Sequence, residues 1–90
     1  MNKNQYISEI KKLVKNNDNK TYFFSNGLNI VTWYDGMQIP TNIHKVFVKG
    51  NVLYINVTDA YHTETDNVEK MSDWDVDDVA TIYSLVSNNK

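Results

Sequence analysis

Hydrophobic residues near the start of the chain recur at intervals of three and four, the spacing of a helix with one buried face. The apolar positions are Ile7, Ile10, Leu13 and Val14. Asn4 is the predicted N-cap, and the polar run at residues 16–19 is predicted to end the helix. A helix of three or four turns is not stable alone, so we expect its apolar face to pack against another element.

Aromatic and β-branched residues dominate the middle of the chain, which predicts β-strands. The predicted strands cover residues 20–25, 28–34, 43–49 and 52–58. Asn26-Gly27 joins the first two and Gly50-Asn51 the last two, and both pairs suit the positive φ angles of a two-residue hairpin turn. The sequence therefore predicts two hairpins.

Turn-forming residues separate these two predicted hairpins. Asp35 and Gly36 predict a turn, and Pro40 predicts a break in strand pairing. Residues 37–39 are predicted as a short edge segment between them.

The clearest helix signal is near the end of the chain. Ser72 is the predicted N-cap with Asp75 as its capping-box partner, and Met71 and Val76 have the spacing of a hydrophobic staple. The predicted buried stripe consists of Val76, Val79, Ala80, Tyr83 and Val86.

This order of elements, α–β–β–β–β–α, predicts a single α+β domain over residues 1–90. We expect an N-terminal helix, a mainly antiparallel sheet of three to five strands built from two hairpins, and a C-terminal helix. Both helices are predicted to cover one face of the sheet. The core side of the second hairpin is predicted to consist of Val46, Val48, Leu53, Ile55 and Val57.

The other side of the second hairpin is the candidate interaction surface. A two-residue turn at residues 50–51 places Phe47 directly opposite Tyr54. Lys45, Lys49 and Asn56 flank the two rings, and we call these five residues the aromatic–lysine face. The predicted first hairpin is also apolar on both sides, with Phe23, Leu28, Ile30 and Tyr34 on one and Tyr22, Phe24, Val31 and Trp33 on the other. A sheet without a polar face is expected to have that second face covered by another element or by another molecule.

Composition excludes several kinds of chemistry. The chain has no cysteine, which excludes disulfides, thiol catalysis, Cys-ligated zinc and iron–sulfur clusters. All nine basic residues are lysine, so the bidentate arginine fork is absent. The net charge is −2, with +3 over residues 1–20 and −6 over residues 59–90. No signal peptide or membrane-spanning stretch is apparent, so we expect a cytoplasmic protein that does not enter a membrane.

Two acidic segments raise the question of a metal site. An EF-hand loop starting at Asp73 would need glycine where Asp78 stands and glutamate where Ser84 stands, so the run is interpreted as the acidic first turns of a helix. His62, Glu64 and Asp66 share one face of an extended chain, but such triplets are frequent in acidic loops. We predict no metal and no cofactor.

Nothing in the spacing of these residues indicates a catalytic site, and no nucleophile elbow or phosphate loop is present. We predict a small non-enzymatic interaction module that acts through a protein partner or a second copy of itself. The alternative is a nucleic-acid-associated protein in which Phe47 and Tyr54 stack on bases and the lysines contact phosphates. The absence of arginine and the negative net charge disfavour that alternative.

Overall fold

In the residues that the structure describes, two helices pack with an antiparallel sheet of four strands, so the predicted α+β class is confirmed. The computed structural model describes residues 1–15, 21–60, 63 and 67–88, except for the side chains at 23, 25–29, 33 and 34. The elements are α1 (Lys3–Lys15), β1 (Thr21–Tyr34), β2 (Met37–Lys49), β3 (Val52–Thr58), β4 (Val68–Lys70), a 3-10 turn (Met71–Asp73) and α2 (Val76–Asn88). The sheet order is β1-β2-β3-β4.

The N-cap of helix α1 lies two residues before the predicted N-cap. Asn2 Oδ1 accepts a hydrogen bond from the Gln5 backbone N–H at 2.9 Å, and the Asn2 N–H donates to Gln5 Oε1 at 2.8 Å. This reciprocal pair is a capping box, so Asn2 and not Asn4 is the N-cap. The predicted apolar face is confirmed, because Ile10 and Val14 are fully buried and Ile7 and Leu13 pack against the same core.

The predicted hairpin turn at Asn26-Gly27 is wrong. Both residues lie inside β1, which continues to Tyr34 and pairs with β2 across a turn at Asp35-Gly36. Asp35 has φ 51° and Gly36 has φ 75°, the positive values of a type I′ hairpin turn. The ladder that this turn closes pairs residues 28–34 with residues 37–43, and this longer pairing overrides the local Asn-Gly signal.

The Asn-Gly segment forms an irregularity in β1 instead. Phe23 pairs with Lys45 whereas Leu28 pairs with Ile43, so β1 advances by five residues where β2 advances by two. Because no turn interrupts β1 at Asn26-Gly27, the residues before and after it belong to one strand, in which positions separated by an even number share a face. Tyr22, Phe24 and Ile30 consequently all pack against the core, contrary to their predicted division between two faces.

Strand β2 does not break at Pro40. It runs from Met37 to Lys49, and Pro40 pairs with Val31 of β1. Proline has no backbone N–H to donate to a neighbouring strand. Strand β3 ends at Thr58, opposite Asn42, so no β3 carbonyl lies beside Pro40 and no hydrogen bond is lost there.

The second hairpin has the predicted register over residues 45–49 and 52–56, and an unpredicted register shift follows between Ile43 and Lys45. Phe47 pairs with Tyr54, Val46 with Ile55, and Lys49 closes the turn with Val52. The turn residues Gly50 and Asn51 have φ 57° and 64°, so both take the left-handed conformation of a type I′ turn. Strand β4, which pairs Tyr54 with Lys70, lies outside the four predicted strands.

Helix α2 starts later than predicted. The Val79 N–H donates to the Asp75 carbonyl at 3.0 Å, so the helix begins directly after Asp75. Ser72 is not the N-cap, because it lies in the preceding 3-10 turn. Val79, Ile82 and Val86 are fully buried, whereas Val76 is 44% exposed. At 100° per residue, Val76 lies about 90° from the centre of the stripe formed by Val79, Ile82 and Val86, which explains its exposure. Ile82 lies within that stripe, although it is not part of the predicted one.

A single hydrophobic core lies between one sheet face and the two helices. The sheet contributes Ile43, Val46, Leu53, Ile55 and Val57, all of which are 3% exposed or less. Helices α1 and α2 contribute their buried stripes to the same cluster and contact each other through Tyr6 and Tyr83, whose ring centroids are 5.4 Å apart. Both helices therefore pack on one sheet face, as predicted.

Candidate functional site

The sheet face opposite the helices carries a row of residues that crosses all four strands. Thr21 of β1 pairs with Phe47 of β2, Phe47 with Tyr54 of β3, and Tyr54 with Lys70 of β4. Directly paired residues point to the same face of an antiparallel sheet. The row therefore places two aromatic rings in the middle of this face and a lysine at its β4 edge.

The two rings contact each other closely. The Phe47 and Tyr54 ring centroids are 5.4 Å apart with an interplanar angle of 22°, and Lys45 Nζ lies 5.3 Å from the Phe47 centroid. This is an offset stack with a cation–π contact on one ring. Both side chains are half-buried, which is less than the burial of Val46 and Ile55 on the other face of the same two strands.

The remaining members of the aromatic–lysine face differ in accessibility. Lys49 is exposed at the end of β2. Asn56 is only 4% exposed, and its Nδ2 donates to the Asn67 carbonyl at 2.9 Å. Asn56 therefore connects β3 to the segment before β4, and the accessible part of the face consists of the two rings and the lysines.

Lys70 is a residue that sequence reasoning missed. It is exposed and shares the row of Tyr54, so β4 becomes a second strand, after β2, that contributes positive charge to this face. Its placement depends on β4, and a three-residue strand has too few positions to show an alternating pattern.

A second concave feature lies on the helix side of the sheet, beyond the core. It is a cleft of about 860 Å³ between the free end of the β1–β2 hairpin and the start of α2. Its apolar floor includes Ile39, Val57 and Trp74. Six carboxylates line it: Asp35, Asp59, Glu69, Asp73, Asp75 and Asp78. The sequence shows the acidic run at 73–78, but the approach of Asp35 and Asp59 depends on the tertiary fold.

One wall of this cleft is held by side-chain hydrogen bonds. Trp74 Nε1 donates to Glu69 Oε1 at 3.2 Å, and Asn67 Nδ2 donates to Glu69 Oε2 at 3.2 Å. Lys3 Nζ donates to the carbonyls of Ser72 and Trp74 at 2.8 and 3.2 Å, which ties the start of α1 to the segment before α2.

The candidate metal and catalytic residues do not come together in the described part of the chain. His44 lies in β2 with Nε2 2.9 Å from Thr58 Oγ1, on the face away from the acidic cleft. His62, Glu64 and Asp66 lie outside the described residues. Among residues 1–15, 21–60, 63 and 67–88, no three histidine, aspartate or glutamate side chains are grouped so that they could hold a metal ion.

Comparison with protein-family models, with curated proteins and with solved structures gives no match to this chain. None of the helices in the described residues has the length and apolar content needed to cross a membrane.

Proposed function

We propose that this protein is a small non-enzymatic protein-interaction module whose contact surface is the aromatic–lysine face. The observation that carries this proposal is the half-buried Phe47–Tyr54 stack on the sheet face opposite both helices. Large rings left partly in water gain free energy when a partner covers them, about 25 cal/mol for each Å² of apolar surface buried. Aromatic residues are also the side chains that most often anchor protein interfaces.

The partner is proposed to be a protein segment that combines carboxylates with at least one apolar side chain. Three lysines surround the rings: Lys45 and Lys49 lie on either side of Phe47 along β2, and Lys70 of β4 lies opposite Tyr54. Lysine stems cover apolar surface while their ammonium groups stay in water, so these residues suit the polar rim of an interface. A positive rim favours an acidic partner through electrostatic complementarity.

Single-stranded nucleic acid is the alternative ligand for this face, and the ring geometry supports it less. A base-stacking platform needs an aromatic ring whose face is open to the base. The Phe47 ring is already engaged by Tyr54 and by the Lys45 ammonium. Stacking a base there would require both contacts to be rearranged.

The absence of catalysis remains part of the proposal. His44 is hydrogen-bonded to Thr58 on one sheet face, and six of the described carboxylates line a cleft on the other. Within the part of the chain that the structure describes, this arrangement places no histidine beside the carboxylates of the cleft for general acid–base chemistry.

Selection from a random peptide library on the immobilised protein tests the proposal. We expect enriched peptides rich in aspartate or glutamate with an apolar residue, with affinity that falls as the salt concentration rises. The Phe47→Ser/Tyr54→Ser double variant is expected to lose this binding, and the Lys45→Gln/Lys49→Gln double variant to weaken it mainly at low salt. Val76→Ser is the matched control, because it removes an exposed apolar side chain from α2.

Two results would count against the proposal. Selected peptides that bind the Phe47→Ser/Tyr54→Ser variant as well as the wild type would place the contact elsewhere, provided that circular dichroism shows the variant to be folded. Binding of oligothymidylate at low salt, lost in the same variant, would favour the nucleic-acid alternative.

A further inference from the structure

The end of the β1–β2 hairpin extends beyond the rest of the sheet. Residues 28–34 pair with residues 37–43, but β3 reaches only to Thr58 opposite Asn42. Residues 30–41 thus form a two-stranded projection, which we call the hairpin arm. Among the described residues, neither strand of the arm beyond Asn42 has a second neighbour in the sheet. A two-stranded ribbon is marginally stable in water, so its free edges are candidates for further pairing.

The backbone groups available for pairing follow from the turn. Tyr34 and Met37 flank the two-residue turn and form a hydrogen-bonded pair, and the pattern alternates from there along the ladder. The N–H and C=O groups of Asn29, Val31 and Trp33 consequently point away from β2. On the other edge of the arm, the outward positions are those of Gln38 and Pro40.

The two edges of the arm differ in how they are protected. Natural sheet edges are commonly blocked by proline, by charged side chains or by shortness of the strand. Pro40 removes an outward N–H from the β2 edge. Strand β1 is 14 residues long and contains no proline and no charged residue. Val31, in the middle of its free edge, is 51% exposed.

The absence of charged residues in this part of β1 also indicates its pairing partner, which is the same segment of a second copy. Antiparallel pairing of a strand with its own copy places identical residues opposite each other about a two-fold axis. Like charges directly opposite each other destabilise such a pair, and residues 28–34 have none. A second copy of this chain therefore meets no electrostatic penalty at this edge.

We infer that two copies of this protein associate through antiparallel pairing of residues 28–34, with the two-fold axis at Val31. In this register Val31 faces Val31 of the second copy, and Asn29 faces Trp33 in both directions. Three hydrogen-bonded pairs give about six intermolecular backbone hydrogen bonds. The dimer contains one continuous eight-stranded sheet and leaves both aromatic–lysine faces on the same side of it. This contact is separate from the aromatic–lysine face and does not depend on its proposed partner.

Sedimentation equilibrium at protein concentrations from about 1 μM to 1 mM tests whether the protein dimerises. Two proline variants test which edge of the hairpin arm forms the contact. Val31→Pro removes an outward N–H of β1 and no hydrogen bond to β2. Gln38→Pro makes the same change on the opposite edge of the arm. We expect wild type and Gln38→Pro to dimerise, and Val31→Pro to raise the dimer dissociation constant by about tenfold or more.

Cross-linking tests the register in a chain that has no natural cysteine. The Cα atoms of a hydrogen-bonded antiparallel pair lie about 5.5 Å apart, so Val31→Cys is expected to give a covalent dimer with a short thiol-to-thiol reagent. Thr81→Cys, on the exposed side of α2, is expected to stay monomeric under the same conditions.

Three results would overturn the inference. The first is a wild type that stays monomeric over the whole concentration range. The second is a folded Val31→Pro variant that dimerises as strongly as Gln38→Pro. The third is dimerisation that is lost in the Phe47→Ser/Tyr54→Ser variant but kept in Val31→Pro, which would place the self-contact on the aromatic–lysine face.

Discussion

The face of α2 that packs against the core differs from the face that the sequence predicts, and substitutions at Ile82 and Val76 test which of the two is buried. Ile82 is fully buried and Val76 is 44% exposed. Replacing Ile82 by alanine removes three carbon atoms from the core, which is about 2.5 kcal/mol of transfer free energy at about 0.8 kcal/mol for each carbon. The cavity left behind adds to this, and buried Ile→Ala changes cost about 2–5 kcal/mol in total.

Val76→Ala is expected to change the free energy of unfolding by about 0.5 kcal/mol or less. The small loss of burial is offset by the better helix propensity of alanine. Since a chain of this length has a total stability of about 5–13 kcal/mol, the Ile82 change is large by comparison. The milder Ile82→Val change is expected to cost about 0.5–1.5 kcal/mol and to lower the melting temperature by about 2–12 °C.

Urea unfolding followed by circular dichroism measures both effects. The midpoint is expected to fall steeply for Ile82→Ala and to stay near the wild-type value for Val76→Ala, with an unchanged dependence of stability on urea concentration. Equal costs at the two positions would show that α2 is rotated from the orientation described here. A neutral Ile82→Ala would show that α2 does not contribute this face to the core.

Three further predictions concern local contacts, each measured as a shift in the thermal or urea midpoint. Asn2→Ala should cost about 0.5–2 kcal/mol through loss of the capping box while Asn4→Ala is close to neutral, and the reverse order would contradict the capping-box assignment. Gly50→Ala should cost about 1–2 kcal/mol because φ is +57° there, and a stabilised variant would contradict the type I′ turn. Lys3→Met should cost about 1–3 kcal/mol by removing a charged donor from two carbonyls, and an unchanged midpoint would show that these contacts contribute nothing.

The second hairpin shows what sequence reasoning could predict. Gly50-Asn51 fixes a two-residue turn, and from that point alternation assigns residues 45–49 and 52–56 to one face or the other, up to the register shift between Ile43 and Lys45. The pairing of Phe47 with Tyr54 follows without knowledge of the rest of the fold, and the structure confirms it. The apolar face of α1 is predictable for a similar reason, since one periodicity determines it.

The first hairpin shows where such reasoning fails. Asn26-Gly27 and Asp35-Gly36 are both good hairpin turns, and local chemistry does not rank them. The ladder closed by Asp35-Gly36 pairs residues on both sides of Pro40, which the sequence alone interprets as a break. Pro40 can lie within β2 only because β3 ends before it, and the end of β3 is a property of the assembled sheet.

The sequence predicts one of the candidate surfaces, and the others depend on the tertiary fold. The stacked rings come from a predictable register, so the sequence identifies them. The position of Lys70 beside Tyr54 depends on the pairing of β4 with β3. The hairpin arm exists because β2 extends further than β3. Both are consequences of tertiary pairing, and no local pattern encodes them.

The central claim is that both helices pack on one sheet face and leave the Phe47 and Tyr54 rings on the opposite face partly accessible. Broadening of proton resonances by a soluble paramagnetic gadolinium chelate measures this directly, side chain by side chain. We predict clear broadening of the Phe47 and Tyr54 ring protons at a concentration that leaves the methyl protons of Ile10 and Ile55 unaffected. Rings as well protected as Ile55 in a dilute, monomeric sample would show that another part of the chain covers this face, and would contradict the account.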